Sequence, residues 1–160
     1  MSRAFVGIGS NLHGPQAQVS RAVEALGALD RTHCVAVSRR YRNPPMGPAD
    51  QPDYVNAVAA LETVLAPHDL LVGLQAIEAA AGRDRSGPRW GARPLDLDLL
   101  SYDDLRIDTQ ALTLPHPGIP ARAFVLIPWA EIDPDWDVPG AGRVGDLAAA
   151  VDAADLTAEE

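Results

Sequence analysis

Between Gly82 and Tyr102 the chain sets four arginines, Arg83, Arg85, Arg89 and Arg93, directly ahead of Asp96-Leu97-Asp98. If that run is a strand, its side chains alternate: Asp96 and Asp98 share one face, and Leu95, Leu97 and Leu99 the other. The leucine face can bury in a core. The carboxylate face then carries two like charges about 7 Å apart along the strand, a costly arrangement unless something positive lies between them. Hard oxygen donors suit magnesium or calcium, and magnesium typically takes one or two carboxylates together with substrate phosphates. Arginine's planar fork suits those same phosphates. Read separately, an Asp-x-Asp on a strand edge is a solvated face, and loop arginines are soluble surface. Their conjunction within about twenty residues points to a metal-assisted phosphate site, with the solvated face as the alternative.

The whole chain narrows the partners. Its 160 residues, 47% hydrophobic and 22% charged, suit one domain, 1–160, around one core. The net charge of −9 repels nucleic acid and anionic membrane, so an anionic ligand needs a local basic pocket. Outside the 83–93 run, the dense basic stretch is Arg39-Arg40 with Arg42. All 13 Lys or Arg positions are arginine. That excludes a phosphate-loop lysine, a Schiff-base lysine and a lysine general base. Cys34 is the single cysteine, in an apolar alternating run that favours a buried, inert thiol. His13, His33, His68 and His116 lack the spacing of a zinc site. There is no charged-then-apolar signal pattern and no run of 18 apolar residues, so a soluble cytoplasmic protein is the expectation.

The elements that must position the acidic pair follow from periodicity. Arg3 to Ile8 reads as a central strand, broken at Gly9-Ser10-Asn11, a turn or a ligand contact. Pro15 to Leu29 reads as a helix with Val19, Val23, Leu26 and Leu29 on one stripe. His33 to Arg42 alternates and reads as a second strand. Asn43 to Asp53 holds four prolines in eleven residues, so it is neither helix interior nor central strand; a stiff loop of this kind suits a pocket wall. Tyr54 to Val64 is a third strand with Tyr54, Asn56 and Val58 on one side. Asn56 there either faces solvent or offers its paired donor and acceptor to something planar. Pro67 to Ala81 is a second helix, with Leu70, Leu71, Leu74 and Ile77 buried and Gln75 and Glu78 toward its end, which Gly82 closes. Trp90, between Gly87 and Gly91, is core packing or a stacking lid. After the acidic strand, Leu105 to Ile107 is expected to pair back as a short fifth strand, and His116 stands in a Pro-His-Pro turn as a candidate phosphate contact. Pro120 to Glu131 reads as a helix with Phe124, Ile127 and Trp129 buried and Arg122 near its start. A weak helix over 144–153 and a frayed acidic tail, about the last fifteen residues, complete the expectation. The order gives an α+β fold: a ferredoxin-like βαββαβ antiparallel sheet with helices packed on it, plus a C-terminal hairpin and helix. The open face of that sheet is expected to carry the ligand.

The chain resembles the 6-hydroxymethyl-7,8-dihydropterin pyrophosphokinase family of the folate pathway. The likeness is sharpest from Arg89 through Trp90-Gly91-Ala92-Arg93-Pro94-Leu95-Asp96-Leu97-Asp98 to Leu100. Gly9-Ser10-Asn11-Leu12, Gln51-Pro52-Asp53-Tyr54-Val55-Asn56-Ala57 and Pro115-His116 are further motifs in the expected order. The resemblance implies transfer of the β,γ-diphosphate of ATP to the pterin hydroxymethyl oxygen, releasing AMP. It implies two magnesium ions on Asp96 and Asp98, with Arg83 and Arg93 as catalytic cations. It implies a pterin held by Asn43, Pro44, Pro45, Met46, Tyr54, Asn56, Trp90 and Phe124. ATP would meet Gln75, Glu78, Arg85, Arg93, Leu99, Thr113, His116 and Arg122. A monomer acting on ATP and hydroxymethyl-dihydropterin, without nucleic acid or membrane, is the expectation. The chain departs from the family pattern in Asn43, where threonine is frequent, in the Ser86-Gly87-Pro88 segment, and in Pro117.

Two other readings use the same residues. A cyclase- or polymerase-like enzyme also pairs carboxylates on a ferredoxin-like sheet, but it would release pyrophosphate, and the acidic balance and the proline-rich loop disfavour it. A non-catalytic ligand module would leave Asp96 and Asp98 solvated and its ATP binding indifferent to magnesium.

Overall fold

A computed structural model describes residues 1–12, 14–44, 52–82 and 94–159. Strands β1 (Ser2–Ser10) and β4 (Tyr54–Thr63) form the middle of the sheet. Both are apolar nearly throughout because helices cover both sheet faces. Helix α1 (Pro15–Gly27) begins on Pro15, whose missing N–H has no intrahelical partner to lose. Strands β2 (Thr32–Val37) and β3 (Tyr41–Asn43) both run along the outer edge of β4. Helix α2 (Pro67–Ala80) also begins on proline, carries Asp69 in its first turn and stops at Gly82. Gly82 adopts φ 93° and donates its N–H to the Ala79 carbonyl at 3.0 Å. Strand β5 (Asp96–Tyr102) pairs antiparallel with β1.

Beyond β5, the short strands β6 (Ile107–Asp108) and β7 (Thr113–Leu114) pair with each other. Helix α3 (Ala123–Ile132) follows, then the small hairpin β8 (Asp137–Val138) and β9 (Gly142–Arg143), helix α4 (Val144–Ala150), and strand β10 (Thr157–Ala158). The main sheet is antiparallel in the order β10-β3-β4-β1-β5, with β2 also on β4. This is the expected ferredoxin-like α+β arrangement.

Two cores flank the sheet. On one face Val19, Ala22 and Leu26 of α1 and Leu70 and Leu74 of α2 pack on Val6, Ile8, Ala57, Leu97 and Leu99. On the other, Val125, Leu126 and Trp129 of α3 pack on Phe5, Val58 and Leu100. The Phe5 ring lies 5.0 Å from Trp129 and 4.9 Å from Trp136, the latter edge-on. The ligand face is therefore not an open sheet; α3 covers much of it, with α4 packed on α3, and a trough is left where β1 ends and β5 begins.

Five sequence expectations change. Gly9 and Ser10 continue β1 rather than ending it, because Gly9 pairs with both Asn56 and Asp96. The predicted strand from His33 to Arg42 is two strands: a bulge lies between Cys34 and Ala36, and Ser38 leaves the ladder geometry. The Ser38 hydroxyl there accepts the Val58 N–H at 3.0 Å, a side-chain bond that competes with regular pairing. The segment after Asp104 pairs with Thr113–Leu114 and not back onto β5. The helix from Pro120 begins as a 3-10 turn over Ile119–Ala121 before α3. The tail is not frayed: Thr157 and Ala158 pair with Arg42 and Tyr41.

Candidate active site

Strand register builds the site. Asn56 on β4 pairs with Gly9 on β1, and Gly9 pairs with Asp96 on β5; one step along, Val58 pairs with Gly7, which pairs with Asp98. Side chains in such cross-strand rows share a face. The two glycines therefore clear the ground between an amide and a pair of carboxylates. A Cβ added at Gly9 would lie 2.9 Å from Asn56 Oδ1, closer than real Cβ contacts allow. At Gly7 it would meet nothing nearer than Leu100 Cδ2 at 3.5 Å, an ordinary contact.

The cleared ground is the floor of a pocket enclosing about 620 Å³ of non-protein space, part of it open to solvent. Asn43, Tyr54, Asn56, Asp96, Asp98, Arg122 and Phe124 line it, with Gly7, Gly9 and Val125. Asn56 is buried, not solvent-facing, and its Nδ2 donates to Asn43 Oδ1. This bond fixes which way the Asn56 amide points and leaves its other donor and its oxygen for a planar edge. Phe124 stands at the start of α3, with the Arg122 guanidinium 5.8 Å from its ring centre.

Asp98 draws two donors toward the carboxylate side. Arg122 Nη1 lies 3.9 Å from Asp98 Oδ2, and His116 Nε2 lies 3.9 Å from Asp98 Oδ1. The first is an ion-pair distance, and both are too long for hydrogen bonds. His116 Nδ1 accepts the Gly118 N–H at 3.0 Å, so in the neutral ring the proton sits on Nε2, facing the carboxylates. Burial pushes the His116 pKa below its ordinary value, and the Arg122 charge adds to this; Asp96 opposes both. The imidazole is a neutral N–H donor near pH 7.

Asp96 and Asp98 give hard oxygen donors at alternate positions of one strand face, the donor set magnesium accepts when phosphates complete its shell. Among the described residues no cluster of three or more His, Cys, Asp or Glu could hold a metal by itself. Two carboxylates fit a cation whose remaining ligands come from a substrate.

The expected residues fall into three groups. Asn43, Tyr54, Asn56, Asp96, Asp98, Arg122 and Phe124 meet in the pocket, and His116 stands beside it. Pro44 is exposed at the end of β3, where its carbonyl accepts Asn43 Nδ2 at 3.0 Å. Gln75, Glu78, Leu99 and Thr113 lie outside the pocket. Gln75 and Thr113 are exposed, on α2 and β7, two elements packed against β5. Leu99 points into the core under α1 and α2. Glu78, read as a solvated helix position or a nucleotide neighbour, is buried and accepts the Leu97 N–H at 2.8 Å. Pro45, Met46, Arg83, Arg85, Trp90 and Arg93 lie outside the described residues. Gly7 is the pocket-floor position that sequence reasoning missed, and Gly9, read there as part of a turn or a ligand contact, is the second floor position. Their alternation within Val6-Gly7-Ile8-Gly9 is the signal that could have found them, since it bares one strand face.

The site can be set beside known proteins. The sequence profile of the family described as 7,8-dihydro-6-hydroxymethylpterin-pyrophosphokinase (HPPK) matches residues 5–134. The chain is 48% identical over 150 residues to the 2-amino-4-hydroxy-6-hydroxymethyldihydropteridine pyrophosphokinase of Pseudomonas aeruginosa, covering 94% of this chain and 92% of that one. It is 45% identical over 147 residues to the protein of the same name from Haemophilus influenzae, covering 92% and 91%. Among solved structures it resembles a wild-type Plasmodium falciparum HPPK-DHPS with SDX-DHP, at TM-score 0.69 and 12% identity. It also resembles an HPPK-DHPS in complex with substrates, at TM-score 0.71 and 11% identity. At that identity these likenesses show the fold alone. The matches cover 93% of this chain but only 43% and 45% of those solved chains.

Proposed function

Since the chain belongs to the 7,8-dihydro-6-hydroxymethylpterin-pyrophosphokinase family, we propose that the glycine-floored trough beside β5 is where its two substrates meet. The protein is a pyrophosphokinase of the folate pathway that moves a diphosphate from ATP to hydroxymethyl-dihydropterin. A bond forms between the hydroxymethyl oxygen and the β-phosphorus as the hydroxyl proton passes to solvent. The bond from that phosphorus to the α,β-bridging oxygen breaks, and the bridging oxygen leaves on AMP.

The observation that carries the assignment is the register row Asn56–Gly9–Asp96. It sets a pterin-reading amide and a phosphate-side carboxylate on one face with no side chain between them. In this reading the pterin lies on Gly9 with its polar edge on Asn56, beside Tyr54 and against the ring of Phe124. Asn43 holds the Asn56 amide in place. The triphosphate runs toward Asp96 and Asp98, where Arg122 and the neutral His116 donate to its oxygens. In this reading Gln75 and Thr113, on elements flanking β5, meet a nucleotide lying along that strand's outer edge, where Leu99 offers main chain only. For Pro45, Met46, Arg83, Arg85, Trp90 and Arg93 the proposed contacts rest on the sequence motifs.

Asp96 and Asp98 would hold magnesium, two ions in this proposal, which supply charge neutralisation to the phosphates when bound. The side chains themselves orient the reactants in line, exclude water from the pterin side and spread charge over Arg122 and His116. Calorimetry tests the site assignment. ATP should bind far more tightly with magnesium than without it, and pterin binding should be lost in Asn56→Ala; magnesium-independent ATP binding would favour a non-catalytic module.

A further inference from the structure

We infer that Glu159 is a positioning residue for the pterin side of the pocket, acting through β3 and Asn43. The proposal rests on the reading of Asn43 and Asn56 as the pterin-reading pair. The sequence gives the acidic tail no task, yet the tail returns to the sheet. Thr157 pairs with Arg42 and Ala158 with Tyr41, and the Glu159 N–H donates to the Arg40 carbonyl at 2.8 Å.

The Glu159 side chain then closes over two arginines of the same strand edge. Its Oε1 lies 2.8 Å from Arg42 Nη2, and its Oε2 lies 3.4 Å from Arg40 Nε. The carboxylate is largely shielded, 15% exposed, and Gln16 Nε2 of α1 reaches it at 3.4 Å. Arg40 and Arg42 alternate on the segment and would repel each other without an acid between them. Among the described residues Glu159 is the acidic partner of both.

What this clasp holds matters more than its own strength. The residue after Arg42 is Asn43, whose Oδ1 accepts from Asn56 Nδ2 at the pocket wall. Strand β3 has three residues, and β4 and β10 are its two neighbours in the sheet. Without β10 and the Glu159 clasp, β3 would keep its pairing with β4 only, and Asn43 would lose the outer support that fixes its amide. A partly exposed ion pair supplies little free energy, so the effect is graded and confined to the pterin.

The test is steady-state AMP release by the full chain carrying Glu159→Gln, Asn43→Ala or both. Glu159→Gln is expected to raise the pterin KM about three- to fivefold, the range such an ion pair can supply. The ATP KM, kcat and melting temperature should stay near wild type. In the Asn43→Ala background the same change should add almost nothing, because the two act along one path. Raising salt should shift the wild-type pterin KM toward the Glu159→Gln value and leave that variant unmoved. An Asn43→Ala effect on pterin KM with none from Glu159→Gln overturns the clasp alone, as does an equal Glu159→Gln effect in both backgrounds. No Asn43→Ala effect on pterin KM overturns the pocket reading and the clasp with it.

Discussion

Glu78 accepts the backbone N–H of Leu97 at 2.8 Å, so a buried carboxylate of α2 braces β5 at the residue between Asp96 and Asp98. Among the described residues β1 is the strand that β5 pairs with in the main sheet. A side chain from the helix thus supplies an acceptor to a strand N–H, and the Asp-x-Asp segment keeps its pitch. Two substitutions separate bracing from charge. Glu78→Gln retains an acceptor and should keep most stability and activity. Glu78→Leu strands a buried N–H, which costs about 1–3 kcal/mol. It should lower the melting temperature by several degrees and weaken the magnesium dependence of ATP binding. Equal behaviour of the two variants would show that the brace is not what the carboxylate contributes.

His116 gives a pH signature. Burial, then the Arg122 charge, holds its folded pKa below the ordinary 6.5. The unfolded chain therefore takes up its proton first as pH falls, and the folded state loses stability from about pH 7 downward until the buried ring also titrates. Above that range His116 contributes no slope. Substrate-free protein should lose melting temperature as pH falls below about 7, and His116→Gln should flatten that segment of the curve. Glu131 cannot mimic this. Burial raises its pKa, but hydrogen bonds from Tyr41 and Arg39 outweigh burial and keep it below the ordinary 4.5, so its contribution is lost only at lower pH.

The two floor glycines should differ when replaced. Gly9 has no left-handed backbone requirement, but its added methyl would stand 2.9 Å from Asn56 Oδ1. Gly9→Ala should fold and lose pterin affinity by tenfold or more, about 1.4 kcal/mol, because Asn56 must turn away or the ring must lift. Gly7→Ala meets Leu100 only at 3.5 Å and should keep pterin affinity closer to wild type. Calorimetric titration of both variants with the pterin measures the contrast.

Much of this was legible in the chain itself, for identifiable reasons. The alternation of Asp96 and Asp98 with Leu97 and Leu99 set the functional and core faces of β5, since burial punishes a slip of one residue. Proline at the start bounded α1 and α2, and Gly82 bounded the end of α2 within two residues. Asn56 was ambiguous because its burial depends on α3, which arrives some seventy residues later in the chain. The break at Ser38 and the bulge beside Ala36 escaped because an alternating pattern looks the same whether or not one residue is extra. The role of Glu78 escaped because a charge on a helix is ordinarily solvated, and nothing local announces the strand N–H it will meet. Strand β10 escaped because Thr157-Ala158-Glu159 has no periodicity to read; its structure comes from Arg40 and Arg42, far back in the sequence.

The most direct test is the rate of AMP release from magnesium-ATP with hydroxymethyl-dihydropterin by Asp96→Asn and Asp98→Asn. The side chains keep their size and the two leucines opposite keep their core, so the melting temperature should stay within a few degrees of wild type. The rate should fall by about a thousandfold or more in each, as expected when charge stabilisation at the transferred group is removed. Turnover near the wild-type rate in either variant, with the fold intact, would contradict the claim that this carboxylate pair works on the triphosphate.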